Sequence, residues 1–330
     1  MPRVVFCVLG LVALASHAAC SDSTTTSTSS TPSTSSSAAS STATASATTQ
    51  PTGTLTLDPT NDYGNKYADG ILPVGDNLYT TDAAKQGHVF LCRTGGPGGG
   101  ASTQGPWFSA DGTTYDINKK IAVQGEVTWP GSITIAVAGD TRTIVTNDLP
   151  KDHPTGVFPV ASDDPAYAID RNPNSIKEQS VTYTLSAQPT VDAEPHCMSG
   201  QVGVMTTGVE LFNAFDALLR DAGAWEVQDG CEGHPERTGA YHYHSLSSCI
   251  TDISVQSVIG FALDGFPITG PKVGDNNMLT TSDLDECHGI TSEIELDGTK
   301  VTTYHYVMTQ DFPYSASCFR AEPTKAPGEP

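Results

Sequence analysis

A chain of 330 residues with 37 acidic and 16 basic side chains carries a formal charge of −21 at pH 7. Such a surface repels phosphate backbones and anionic headgroups, which excludes nucleic acid as a partner and leaves a membrane only through a covalent anchor. Cations are compatible with it, and the length suits one large domain or two modest ones.

Residues 1–19 read as a signal peptide. Arg3 supplies the positive charge, residues 4–15 form an apolar run too short to span a bilayer, and small residues precede Cys20 at a cleavage site. Cys20 follows two alanines as in a bacterial lipobox, although His17 stands where that motif usually has leucine. Cysteine arithmetic supports lipidation of Cys20. Of eight cysteines, Cys7 leaves with the signal and Cys20 is consumed. The remainder, Cys92, Cys197, Cys231, Cys249, Cys287 and Cys318, is an even set suited to three disulfides in an oxidising compartment. Local order pairs Cys231 with Cys249 and Cys287 with Cys318, leaving Cys92 for Cys197. Simple secretion without a lipid is the alternative.

Residues 20–54 are rich in Ser, Thr and Ala and have almost no apolar bulk, so they are expected to be a disordered stalk. From residue 55 to 322 the composition supports one domain, with a short disordered tail at 323–330. The expected fold class is mainly β, or α+β, with antiparallel sheets, long loops and disulfide staples. Short β-prone runs recur between Gly, Pro, Asn and Asp: "KKIAVQGEVTW", "SITIAVAG", "TRTIVTN", "QSVTYTLSA", "VIGFAL" and "KVTTYHYVMT". The second and third, joined at Gly139-Asp140, read as a hairpin.

One prominent amphipathic helix is expected near 208–222. Thr207 and Glu210 make a capping-box pattern, and Leu211, Phe212, Phe215, Leu218 and Leu219 recur at helical spacing up to a stop at Gly223. The glycine-rich run at 94–102 lacks the Gly-Lys-Ser/Thr ending of a phosphate loop and reads as a flexible surface loop. No Gly-x-Ser-x-Gly elbow supports serine hydrolase chemistry. Asp58, Asn61, Asp62, Asn65 and Asp69 crowd together, but their spacing is that of ordinary turns and not of an EF-hand, so calcium is the less favoured ion.

The histidines carry the chemistry. Cys231, His234, Tyr241-His242-Tyr243-His244 and Cys249 are followed by Cys287, His288, Tyr304-His305-Tyr306 and Cys318 in the same order, as in a duplicated module. In a strand, His242 and His244 share one face and the tyrosines the other, and imidazoles so placed suit zinc or copper. His242 and His244 are the expected core ligands, joined by His305 and by His288 or His234. The bland alternative is a half-buried strand whose histidines bond to backbone carbonyls.

Together "GVELFNAFDALLRDAGAWEVQDGCEGHPERTGAYHYHSLSSC", "GFALDGFPITGP", "LDECHG" and "YHYVMTQDFPYSASCFR" resemble the YHYH-domain family, with "NDLPKDHPTGVFP" and "DRNPNSI" upstream; the resemblance covers residues 88–320. It implies an exported bacterial protein of the cell envelope, in some members a lipoprotein, and carries no settled activity. The family's second tract often reads Tyr-His-Tyr-His, whereas Val307 stands in the fourth place here. Three roles are open. The first is a metal-binding envelope protein, and the second a secreted metalloenzyme with Glu226, Asp229 or Asp264 as general base. The third is a metal-free surface interaction module. The sequence names no partner.

Overall fold

Val181, Tyr183 and Leu185 are buried while Thr182, Thr184 and Ser186 face out, the period-two signature of a strand with one face on a core. The computed structural model describes residues 54–95 and 99–327. The signal peptide, Cys20, the stalk up to residue 53 and residues 328–330 lie outside them. Within the described part of the expected tail, Thr324 donates its backbone N–H to Leu263 O at 2.9 Å and Ala326 is buried in the core. No helix among the described residues is long and apolar enough to cross a membrane.

Four short strands come first: β1 (Ile71–Pro73), β2 (Tyr79–Thr80), β3 (Val89–Phe90) and β4 (Thr114–Asp116). β1 pairs antiparallel with β4, and β2 pairs parallel with β3. The expected hairpin follows as β5 (Ile133–Ala138) and β6 (Thr141–Thr146), turned at Gly139 with φ +60°, and β7 (Val181–Ser186) completes a three-stranded antiparallel sheet. The run "KKIAVQGEVTW" makes only isolated bridges, Val123 to Asp229 and Val127 to Thr155, in place of the expected strand. The buried Arg142 of β6 lies over the Phe261 ring at 4.1 Å and forks onto Asp297 with two 2.8 Å bonds, joining this sheet to the next one.

That next sheet has eight strands: β8 (Gln201–Met205), β9 (Glu210–Phe212), β10 (Gly233–Pro235), β11 (Tyr241–Tyr243), β12 (Val258–Ala262), β13 (Pro267–Thr269), β14 (Gly289–Leu296) and β15 (Thr299–Val307). Their spatial order is β10-β11-β9-β8-β12-β13-β15-β14. The order is symmetric about the antiparallel β8/β12 pair, with β9/β11 and β13/β15 the parallel pairs. Two four-stranded copies are therefore related by a pseudo-twofold axis. Detail repeats as well. Gly208 and Gly265 both turn with φ +92°, and Glu232 and His288 both adopt positive φ, 58° and 69°. Asp229 Oδ1 accepts from the N–H of Cys231 and Gly233, and Asp285 Oδ1 from those of Cys287 and Gly289. Tyr241 donates to Asp229 at 2.9 Å and Tyr304 to Asp285 at 3.1 Å.

The expected helix at 208–222 is not formed. Val209, Glu210 and Leu211 are buried, so no polar face exists there, while Leu218 of the supposed apolar stripe is 54% exposed. Sheet pairing of β9 with both β8 and β11 outweighs helical propensity. In this stretch the one helical turn is α1 (Ala222–Trp225), capped by the Asp221 carboxylate on Ala224 N–H, and Gly223 lies inside it. The disulfides are Cys92–Cys197, Cys231–Cys249 and Cys287–Cys318, the pairing that local order suggests. The crowded Asp side chains near the start serve turns: Asp58 accepts from Thr60, Asp62 from Gly64 and Asp69 from Ile71.

Equivalent phenol–carboxylate bonds in the two copies should be equivalent energetically. Tyr241→Phe and Tyr304→Phe should each cost about 1–3 kcal/mol in urea unfolding, because each leaves a buried carboxylate one donor short. A large loss in one and none in the other would contradict the equivalence.

Candidate metal centre

β10 and β11 run antiparallel with His234 directly opposite His242, and His244 lies two residues on, on the same face as His242. Their three rings are buried and offer nitrogens within 4.8 Å of one another, a group that could hold a metal ion. Glu226 joins them. It is the residue that ends α1, its N–H bonded to Ala222 O, and its Oε2 stands 3.2 Å from His234 Nε2 and 3.3 Å from His244 Nε2. His242 Nε2 and His244 Nε2 are 3.1 Å apart.

Those spacings have a chemical meaning. Four ligands around one ion at 2.0–2.1 Å in a tetrahedron are separated by about 3.3–3.4 Å. The outer nitrogens are also committed: His244 Nδ1 bonds to Asn213 O at 2.5 Å and His242 Nδ1 to Ala240 O at 3.3 Å. A carbonyl accepts only, so with both Nδ1 atoms donating, both Nε2 atoms present lone pairs to each other, an arrangement that could hold a shared cation. His234 Nε2 and Glu226 Oε2 are buried without a hydrogen-bond partner. Phe212 stacks on His242 with ring centroids 4.1 Å apart and holds its plane.

The electrostatics follow from burial. Burial pushes His242 well below its ordinary value, with His234 and His244 adding to the effect. Burial likewise takes His244 down to about 4 against the pull of Glu226. His234 responds in the other direction: despite burial, the Glu226 carboxylate raises it. Burial opposes ionisation of Glu226, yet His234 and His244 bring it down to about 2.

All four side chains line a cavity of about 1130 Å³. Gly99 and Gly100 of the glycine-rich run form part of its wall, and a Cβ on Gly100 would sit 3.1 Å from Glu226 Oε1. Both glycines are exposed, so the described part of this run is a surface loop that also borders the cavity.

His305 and His288 are not brought to the cluster. β15 lies five strand steps from β11, about 24 Å at the usual inter-strand spacing. His305 is buried between Thr269 Oγ1 at 2.9 Å and Ser292 Oγ at 2.8 Å, and His288 Nε2 meets Thr309 Oγ1 at 3.0 Å. The twofold explains the separation: it puts the second Tyr-His-Tyr tract at the equivalent place in the other copy. There Ile290 replaces His234 opposite His305, and Val307 replaces His244. Of the candidate bases, only Glu226 reaches the histidines. Asp229 is occupied by Gly156, Cys231, Gly233 and Tyr241, and Asp264 by Phe266, Tyr306, Arg320 and Ala321. A second group, His153 with Cys231 and Cys249, is closed to metal because the cysteines form a disulfide.

Burial takes His288 down to about 3 and His305 to about 4 from an ordinary 6.5. The unfolded chain therefore takes up these protons first, and the two histidines withdraw stability as pH falls from 6.5 toward 4. Imidazole resonances of His288 and His305 in proton–carbon spectra should remain those of the neutral ring from pH 7 to pH 5. Titration of either within that range would contradict their burial.

No curated protein and no solved structure matches this chain. One family model does match, described as YHYH protein, over residues 182–281, a span that contains β8, β9, α1, β10, β11, β12, β13 and every histidine of the cluster. Over that span, about a third of the chain, the sequence is similar to the YHYH family.

Proposed function

We propose that this domain holds one zinc or copper ion through His234, His242 and His244, with Glu226 beside them, and presents it to a small molecule in the adjoining cavity. The observation that carries the reading is the pair of Nε2 lone pairs facing each other at 3.1 Å, each ring fixed by a carbonyl on its far nitrogen. An imidazole-rich donor set suits these two ions and not calcium. Glu226 Oε2 stands 3.2 and 3.3 Å from His234 and His244 Nε2, so it would be available to a bound ion as a further ligand.

The cavity favours a metalloenzyme over a carrier. A sequestering site gains from closure, whereas this one opens onto space larger than most small-molecule pockets. A bound ion supplies Lewis-acid polarisation or an activated water. The chain's own residues do the rest. Phe212 and the wall at Gly99 and Gly100 would keep a ligand against the histidines, and the Glu226 carboxylate would be the group beside them able to accept a proton.

Three disulfides fit an extracytoplasmic protein. Lipidation at Cys20, with residues 20–54 as the spacer, would keep the domain in the cell envelope; the even count of remaining cysteines supports that reading.

A second reading has one observation behind it. His234, raised by Glu226 at 3.2 Å, forms a buried ion pair that needs no metal, as an interaction module would have it. Elemental analysis decides between them. Protein purified from an oxidising compartment, without chelator or histidine tag, should hold about one equivalent of zinc or copper. The His242→Ala/His244→Ala variant should hold none while keeping its far-ultraviolet circular dichroism. Metal-free protein before and after reconstitution would leave the ion pair as the whole content of the site.

A further inference from the structure

Three arginines reach the same cavity from three separate segments: Arg93 after β3, Arg171 before β7 and Arg237 between β10 and β11. They are three of the seven arginines in a chain whose formal charge is −21. All three are exposed, and among the described residues none has a carboxylate within 4.0 Å. Arg171 lies over the Tyr167 ring at 5.2 Å, a contact that uses its face and leaves the N–H donors in its plane available.

The carboxylates that share the cavity are already engaged. Asp216 is bridged to Arg220 at 2.6 Å, and Glu226 faces His234 and His244. Asp170 accepts from Asn172 N–H and Val227 N–H, and Glu236 from Thr238 N–H and Ala240 N–H within its own turn. Asp170 and Glu236 keep their charge while accepting these bonds, but their oxygens are directed to backbone donors and no carboxylate among the described residues engages the three arginines, whose N–H groups are the charged donors left to a ligand. The same cavity is lined by the apolar side chains of Leu91, Met198, Phe212, Phe215 and Leu219.

We infer that the cavity takes an organic oxyanion, a carboxylate or phosphate monoester on an apolar body, with Arg93, Arg171 and Arg237 drawing in and holding the anionic group. Guanidinium groups fork onto planar oxyanions through paired N–H donors, and cations at the mouth of an apolar-walled cleft raise the rate of encounter with an anion. The overall charge would repel the same molecule from the rest of the surface, so the arginines also make this cavity its point of entry. The inference rests on the cavity assigned in the proposed function, but the arginines act on the ligand and do not touch the metal ligands.

The test uses the full exported chain and four probes of one shape: benzoate, phenyl phosphate, benzamide and benzylamine. Binding is followed by calorimetry at two salt concentrations, with metal content measured on each sample. An anionic probe should bind at least about tenfold tighter than benzamide, with affinity falling as salt is raised. The variants Arg93→Gln, Arg171→Gln and Arg237→Gln should each erode that preference while keeping the metal. Equal or weaker binding of both anions on metal-loaded protein would overturn the inference and leave the metal reading intact. Anion preference lost in the arginine variants of a protein that holds no metal would support the inference while the metal reading fails. Preference for benzylamine would overturn it in either case.

Discussion

The register of β10 against β11 is the constraint on which the site depends. Asp229 sets it, accepting the N–H groups of Cys231 and Gly233 on one side and the phenol of Tyr241 on the other. With Gly233 opposite Tyr243, His234 falls opposite His242. A slip of one residue would move His234 to the other face of the sheet and leave two histidines where three now stand. The Cys231–Cys249 disulfide closes the segment over this ribbon, and the two tyrosines of β11 pack edge to face at 5.8 Å behind the histidines. Tyrosine and histidine alternate here so that the two faces of one strand differ, the phenols packing on one and the imidazoles clustering on the other.

The same frame occurs twice, and what differs between the copies is instructive. Asp285, Cys287, Gly289, Tyr304 and Tyr306 reproduce the positions of Asp229, Cys231, Gly233, Tyr241 and Tyr243, so the packing face is held in both. On the opposite face, one copy carries three imidazoles and the other carries His305 between two hydroxyls, with Ile290 and Val307 beside it. The frame folds with either set. Chemistry and scaffold are separable in this domain, and Val307 in the second tract marks the copy without the cluster.

Burial is what gives the cluster its character. A carboxylate and three imidazoles removed from water are costly, and the cost is offset only by partners in the same small volume. Glu226 arrives from α1, which exists for one turn because Asp221 caps it and because β9 has taken the residues before it into the sheet. Had residues 208–222 formed the long helix their spacing suggests, Asn213 O would be spent within that helix and would not fix His244.

Much of this was legible in the chain itself. Six cysteines in local order suggested the disulfide pairing the structure has, strand-like runs between turn residues pointed to a mainly β domain, and alternation in Tyr241 to His244 placed two histidines on one face. The two Tyr-His-Tyr tracts announced a duplication, since a repeated order of landmarks survives in sequence whatever the loops do. Tertiary structure alone decided the membership of the site. The matching second tract suggested His305 and His288, but a twofold axis carries equivalent residues apart and not together, and no one-dimensional pattern encodes the position of that axis. The fate of residues 208–222 was decided the same way: their periodicity fits a helix, and only the edges offered by β8 and β11 made the strand the better place for their backbone bonds. The cavity, with arginines from three distant segments, exists only once the chain has closed around it.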